Sequence, residues 1–259
     1  MSAILFDLDG VLYEGDRVIA GAADTVAWVE SRRIPHLFVT NTTSKPRSAL
    51  VDKLAGFGIR TSVEQYLTPP VAATQLLEMA DCHRLALFIP QATQYEFSQF
   101  EIYAGENDKL DAVVLGDLAS HWDFATLNCA FRMLMNNPDA ILLALGMTRY
   151  WRTAEGLQLD TGPFVTALEY ATGRKAAVTG KPAGEFFRAA TTLLNDEEPV
   201  YMIGDDIQSD IKAAQLAGLN TILVKTGKFS EADLHTGVTP DALLDSIASL
   251  PEWWLDNVS

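Results

Sequence analysis

The sequence predicts an α/β protein: a doubly wound, mainly parallel sheet carrying an inserted α/β unit. Three observations lead there. Short apolar runs alternate with amphipathic helical stretches along the 259 residues, the pattern of βαβ units. Three of those runs end in polar groups, Asp7/Asp9, Thr40/Asn41 and Asp205/Asp206, and ligands of such sheets sit beyond the carboxyl ends of the strands. Residues 73–172 hold a strand and helix set of their own. The expected organisation is therefore a main unit from residues 1–72 and 173–259 and an inserted unit over residues 73–172.

The elements follow in order. Ile4-Leu5-Phe6 leads into Asp7-Leu8-Asp9-Gly10 as a buried strand ending in a turn, with two carboxylates two positions apart. Residues 14–21 are polar and turn-like. Ala22, Ala23, Val26, Ala27 and Val29 space an amphipathic helix over 22–33, with Arg32 and Arg33 at its C-terminal end, and Pro35 stops it. His36 to Val39 is a second strand. Pro46 suits the first turn of a helix reaching Gly56 or Gly58, and Thr68-Pro69-Pro70 opens a helix over 70–80.

Strands are expected at 85–89, 112–116 and 141–145, with a helix over 123–135; residues 91–110 have no clear period. Residues 149–160 suit an exposed hairpin or loop. Gly162-Pro163 starts a helix to Thr172, with Gly173 just past its end. Gly180-Lys181-Pro182 is a loop before a helix to Leu194. Val200 to Gly204 is a strand, 209–217 a short helix, 220–224 a strand, and 240–250 a final helix.

Composition excludes several classes. With 48% hydrophobic residues a core is affordable, so global disorder is not expected. A net charge of −15 argues against nucleic acid and against an anionic membrane surface. No window approaches the about 18 apolar residues of a membrane span, and Asp7 and Asp9 interrupt the apolar run at the N-terminus. Cys82 and Cys129 stand far apart and read as reduced thiols, so a cytoplasmic location is expected. The histidines at 36, 83, 121 and 235 lack ligand spacing, so no zinc site is expected.

Two neighbouring carboxylates repel unless a cation offsets them, and the simplest hard cation is Mg2+. Held by Asp7 and Asp205, it would align an anionic phosphate with Asp7 as nucleophile. Asp9 is placed for proton transfer. Lys181 supplies a fixed positive charge for phosphoryl oxygens, to which the Thr40 hydroxyl and the Asn41 N–H could also donate. Asp206 and Asp210 would stand around the metal or orient Lys181. Each group alone has an ordinary reading: a strand-end turn for Asp7/Asp9, a cap for Thr40-Asn41 or Asp210, a solvated lysine for Lys181, a surface acid for Asp206. Only together do they suggest phosphoryl transfer.

Four motifs in order, D-L-D-G-V-L (7–12), F-V-T-N (38–41), G-K-P (180–182) and G-D-D-I-Q-S-D (204–210), resemble the haloacid dehalogenase superfamily of phosphatases. The insertion between the second and third is similar to the type-2 cap of the NagD-like branch. E-G-L-Q-L-D-T-G-P-F (155–164) and A-L-E-Y-A-T-G (167–173) look like the phospholysine phosphohistidine inorganic pyrophosphate phosphatase group. The resemblance implies a Rossmann-like core with a mobile cap, and Mg2+-dependent hydrolysis of small phosphorylated metabolites, extending to pyrophosphate or P–N bonds. It implies Asp7 as nucleophile, Asp9 as acid/base with its carbonyl on the metal, and roles for Thr40, Lys181 and Asp205. Dimers through such caps occur in the family, so a homodimer is an open expectation. In one departure, some members of that group carry serine where this chain has Asp9, which loosens inference about substrate. The alternatives are a phosphotransferase or mutase on the same chemistry, and a non-catalytic binding protein that kept the fold.

Overall fold

The structure is a computed structural model that describes residues 2–153 and 156–258; Ala154 and Glu155, inside the expected hairpin, lie outside the described residues. The chain divides into two compact units: Met1–Thr40, Arg47–Leu67 and Lys181–Ser259 form the first, Asn41–Pro46 and Thr68–Gly180 the second.

The first unit begins with β1 (Ala3–Asp7), all five residues of which are buried. A small antiparallel ribbon follows, β2 (Tyr13–Glu14) against β3 (Arg17–Val18). Then come α1 (Ala22–Ser31), β4 (His36–Val39), α2 (Arg47–Gly56) and β5 (Tyr66–Leu67).

The second unit contributes α3 (Pro69–Met79), β6 (Arg84–Phe88), β7 (Glu101–Ile102), β8 (Ala112–Leu115), α4 (Phe124–Asn136) and β9 (Ile141–Ala144). The hairpin β10 (Tyr150–Thr153) and β11 (Gly156–Leu159), then α5 (Thr161–Thr172) and β12 (Ala177–Val178), complete it. Asp123 caps α4 by accepting from the Thr126 N–H at 2.7 Å, and Gly173 ends α5 in the left-handed region. The five parallel strands run in the order β12-β9-β8-β6-β7. Successive residues of β8 face opposite ways. Val113 and Leu115 pack with Met133 and Leu134 of α4 and Val165 and Leu168 of α5. Val114 packs on the other face with Ala73 and Leu77 of α3.

The chain then returns to the first unit with α6 (Gly184–Leu193), β13 (Val200–Gly204), a π-helical turn over Ile207–Lys212, α7 (Ala213–Leu216), β14 (Asn220–Val224), β15 (Ala242–Leu244) and α8 (Leu250–Asn257). Its six-stranded sheet has the order β15-β14-β13-β1-β4-β5, every neighbouring pair parallel. The chain moves from β1 outward through β4 and β5, and later from β13 outward through β14 and β15. The direction reverses between β1 and β13, where doubly wound sheets open their ligand crevice. Val26 and Val29 of α1 and Leu250 and Trp254 of α8 close one face over Ile4, Phe6 and Ile203.

The expected helix over 240–250 is corrected. Ala242–Leu244 pairs with Ile222–Val224 as the edge strand β15, so backbone pairing overrides a helix-prone Ala-Leu-Leu run. The helix starts at Leu250, with Pro251 in its first turn where a missing N–H costs nothing. The two-residue strand β5, too short to stand out by periodicity, was not expected either. No helix among the described residues is long and apolar enough to cross a membrane.

Candidate active site

The site is built from strand ends of the first unit. Asp7 is the last residue of β1, Asp205 follows β13 directly, and Thr40 follows β4. Lys181 precedes α6, and Asp210 lies on the π-helical turn. Four of these are charged yet buried: Asp7 is 8% exposed, Lys181 6%, Asp205 1% and Asp210 1%. Burial of that many ionisable groups is costly unless they are paired or bind a metal.

Lys181 is the hub. Its Nζ donates to Asp7 Oδ1 at 2.8 Å and to Asp210 Oδ1 at 2.7 Å. Burial alone would lower its pKa, but the charges of Asp210 and Asp7 outweigh that and hold the ammonium above its ordinary range. Burial pushes the carboxyl of Asp7 upward, with Lys181 opposing it, and does the same to Asp210. Asp205 is pushed up to about 6, again chiefly by burial.

Asp7, Asp205 and Asp210 each present a carboxylate oxygen within 4.8 Å of the others. Asp205 Oδ2 accepts from the Lys228 N–H at 2.7 Å. Its other oxygen, Oδ1, is buried with no hydrogen-bond partner among the described residues. Orphaned buried oxygens are rare in folded proteins. This one stands in a set of three hard carboxylates, a donor set that fits Mg2+. Gly10 is what lets the turn after Asp9 approach so closely: its φ is +89°, and a Cβ there would lie 2.0 Å from Asp205 Oδ2.

Asp9 is exposed just past the end of β1 and accepts from the Gly15 N–H at 3.3 Å. A solvent-facing carboxyl thus stands two residues from a buried one. Thr40 is buried, and its N–H donates to the Leu67 carbonyl at 3.2 Å, which fixes the end of β4 beside β5. Asn41 is exposed and groups with the second unit. Asp206 caps the π-helical turn, accepting from the Gln208 and Ser209 N–H groups at 2.9 and 3.0 Å. Burial would raise its carboxyl, but the Ser209 and Gln208 N–H groups and the Lys228 charge bring it below its ordinary value. Asp210 has both oxygens engaged, one by Lys181 and the other by the Asp206 N–H at 3.2 Å.

Sequence reasoning missed Glu14, Thr226, Gly227 and Lys228. Gly227 donates to Glu14 Oε1 at 2.9 Å, and the Lys228 Nζ lies 3.4 Å from Asp206 Oδ2. The available signal was Thr-Gly-Lys shortly after the apolar strand 220–224, at another carboxyl end of the sheet.

A family model for haloacid dehalogenase-like hydrolases matches residues 4–100, and a second, HAD-hydrolase-like, matches residues 178–250. Phospholysine phosphohistidine inorganic pyrophosphate phosphatase from Homo sapiens is 36% identical over 251 residues, covering 95% of this chain and 91% of the relative. A hypothetical protein from Pyrococcus horikoshii OT3 superposes with a TM-score of 0.90 at 26% identity, covering 98% of this chain and 99% of that one. NagD from E. coli K-12 shares the fold, with a TM-score of 0.84 at 24% identity over 95% of this chain and 96% of that one.

Proposed function

The chain belongs to the haloacid dehalogenase-like hydrolases, and we propose that it is a Mg2+-dependent phosphatase of their NagD-like branch, acting on small phosphorylated metabolites through an aspartyl-phosphate on Asp7. The observation that carries this reading is the buried group of Asp7, Asp205 and Asp210 around Lys181, with one Asp205 oxygen left without a hydrogen-bond partner among the described residues.

Asp7 and Asp205, with the main-chain carbonyl of Asp9, are the residues we assign to the cation. Asp210, whose two oxygens are both engaged, orients Lys181. Bound Mg2+ would supply charge neutralisation, so that an anionic phosphate and an anionic carboxylate can meet. The Asp7 carboxylate attacks phosphorus, the bond to the leaving oxygen breaks, and Asp9 in its acid form protonates that oxygen. Asp9, now a carboxylate, takes a proton from water as that water attacks the aspartyl-phosphate, releasing inorganic phosphate and restoring Asp7. Lys181 and the Thr40 hydroxyl face the charge that builds on the phosphoryl oxygens.

The second unit occupies the place in the chain where this branch carries its cap, and we assign substrate choice to it. The name of the human relative favours testing pyrophosphate and P–N substrates beside phosphate esters. The deciding experiment follows phosphate release from an aryl phosphate, a panel of sugar and nucleotide phosphates, pyrophosphate and phosphohistidine, with Mg2+ and with EDTA. Mg2+-dependent release from at least one is expected. A folded protein that releases none with Mg2+ is not a phosphatase.

A further inference from the structure

We propose that the loop Thr226-Gly227-Lys228 is a latch of positioning residues: it fixes Asp205 with Oδ2 occupied and Oδ1 free, and so sets the affinity of the site for its divalent cation. The inference rests on the metal-dependent reading above. Three consecutive residues each reach a different part of the site. The Thr226 hydroxyl donates to the Gly10 carbonyl, on the turn that follows Asp9. The Gly227 N–H donates to Glu14 Oε1 at 2.9 Å, tying the loop to β2. The Lys228 N–H donates to Asp205 Oδ2 at 2.7 Å.

Packing adds a second constraint. A Cβ on Gly227 would lie 2.1 Å from Asp205 Oδ2 and 2.5 Å from the Gly10 Cα, so only glycine at this position lets the loop close on the carboxylate and on the turn after Asp9. The loop is itself held from behind. Lys225 donates its N–H to the Leu244 carbonyl at 3.0 Å and its Nζ to Asp245 at 2.8 Å. Phe229 packs with Ile207, Ile211 and Leu223. A carboxylate with one oxygen hydrogen-bonded and the other pointed at the cation is how outer partners orient a metal ligand, and removing such partners costs about 10- to 100-fold in metal affinity.

The test compares wild type, Thr226→Val, Thr226→Ser and Glu14→Ala by Mg2+ titration of the melting temperature, with kcat and KM at saturating Mg2+ as a second readout. Thr226→Val keeps the shape and loses the donor. It is expected to raise the half-saturating Mg2+ concentration by about tenfold while kcat at saturation changes far less. Thr226→Ser is expected to stay within about twofold of wild type, since the donor remains. Glu14 is exposed, so Glu14→Ala keeps the question open if Thr226→Val does not fold, and a several-fold rise is expected there. A wild-type shift that both Thr226→Val and Glu14→Ala reproduce at the same half-point overturns the latch alone. Equal loss in Thr226→Val and Thr226→Ser also overturns it. A wild type that shows no Mg2+-induced shift overturns the metal reading and the latch with it.

Discussion

Lys181 has two carboxylate partners, and that decides how the site responds to loss of either. In Asp7→Asn the ammonium keeps Asp210 at 2.7 Å, so no unpaired buried charge is left and the fold should hold. Turnover should fall by on the order of 10^4-fold or more, because the nucleophile is gone. Phosphate release and circular dichroism on the same preparation check this; turnover near wild type removes Asp7 from the chemistry. Asp205 gives a pH prediction with the opposite flavour. Its carboxyl is raised from 3.8 to about 6, so between those values the folded chain binds a proton that the unfolded chain does not. Its contribution to stability is therefore fully present below about 4 and is lost as pH rises through about 6. In EDTA, the melting temperature of wild type relative to Asp205→Asn should rise as pH falls from 7.5 to 5. Parallel profiles for the two proteins contradict it. At this scale the sequence was a good guide where a polar residue ends an apolar strand, as at Asp7, Thr40 and Asp205. It was a poor one for Thr226, Gly227 and Lys228, whose contacts run through one hydroxyl, two main-chain N–H groups and a close approach that residue type does not announce.

The same contrast holds for elements. Strands β1, β13 and β14 were legible because both faces are buried, which forces continuous apolar runs. Strand β15 was not, because Ala-Leu-Leu has no strand character apart from its neighbour β14. Between these cases lies the segment after β13, expected as a plain short helix. It opens instead as a π-helical turn over Ile207–Lys212, in which the Ile211 N–H reaches back to the Asp206 carbonyl at 3.3 Å. Such turns recur at functional sites, and here the turn carries Asp210 to Lys181. Asp206 holds its start through two N–H groups and anchors Asp210 through its own. Asp206→Ala should therefore lower stability by about 1 kcal/mol, the usual cost of a lost cap. It should also weaken turnover, since the turn that carries Asp210 to Lys181 loses its side-chain cap while the main-chain bond to Asp210 remains. Urea unfolding and kcat measured together check this. An unchanged unfolding midpoint means the turn is held by its apolar residues Ile207 and Ile211 alone.

At the scale of the whole molecule, the question is how one chain builds two compact bodies without either losing its core. The second unit carries a five-stranded parallel sheet covered on both faces, by α4 and α5 on one side and α3 on the other. Its two ends meet. The Thr179 hydroxyl donates to the Pro69 carbonyl at 3.2 Å, and the Thr179 N–H continues the sheet by donating to the Ala144 carbonyl at 3.0 Å. An insert whose ends are joined by its own hydrogen bonds closes its core independently of what it interrupts, and this is the condition under which inserted domains fold alone. Residues 68–180 expressed as a fragment should therefore show an α/β circular dichroism spectrum and a single cooperative thermal transition. The fragment lacks Asp7, Asp9, Lys181 and Asp205, so it should release no phosphate and its melting temperature should not respond to Mg2+. A broad, non-cooperative melt would mean that the sheet of the second unit depends on the first for its stability. A Mg2+ response in the fragment would place a cation outside the strand-end carboxylates and count against the assignment of Asp7 and Asp205.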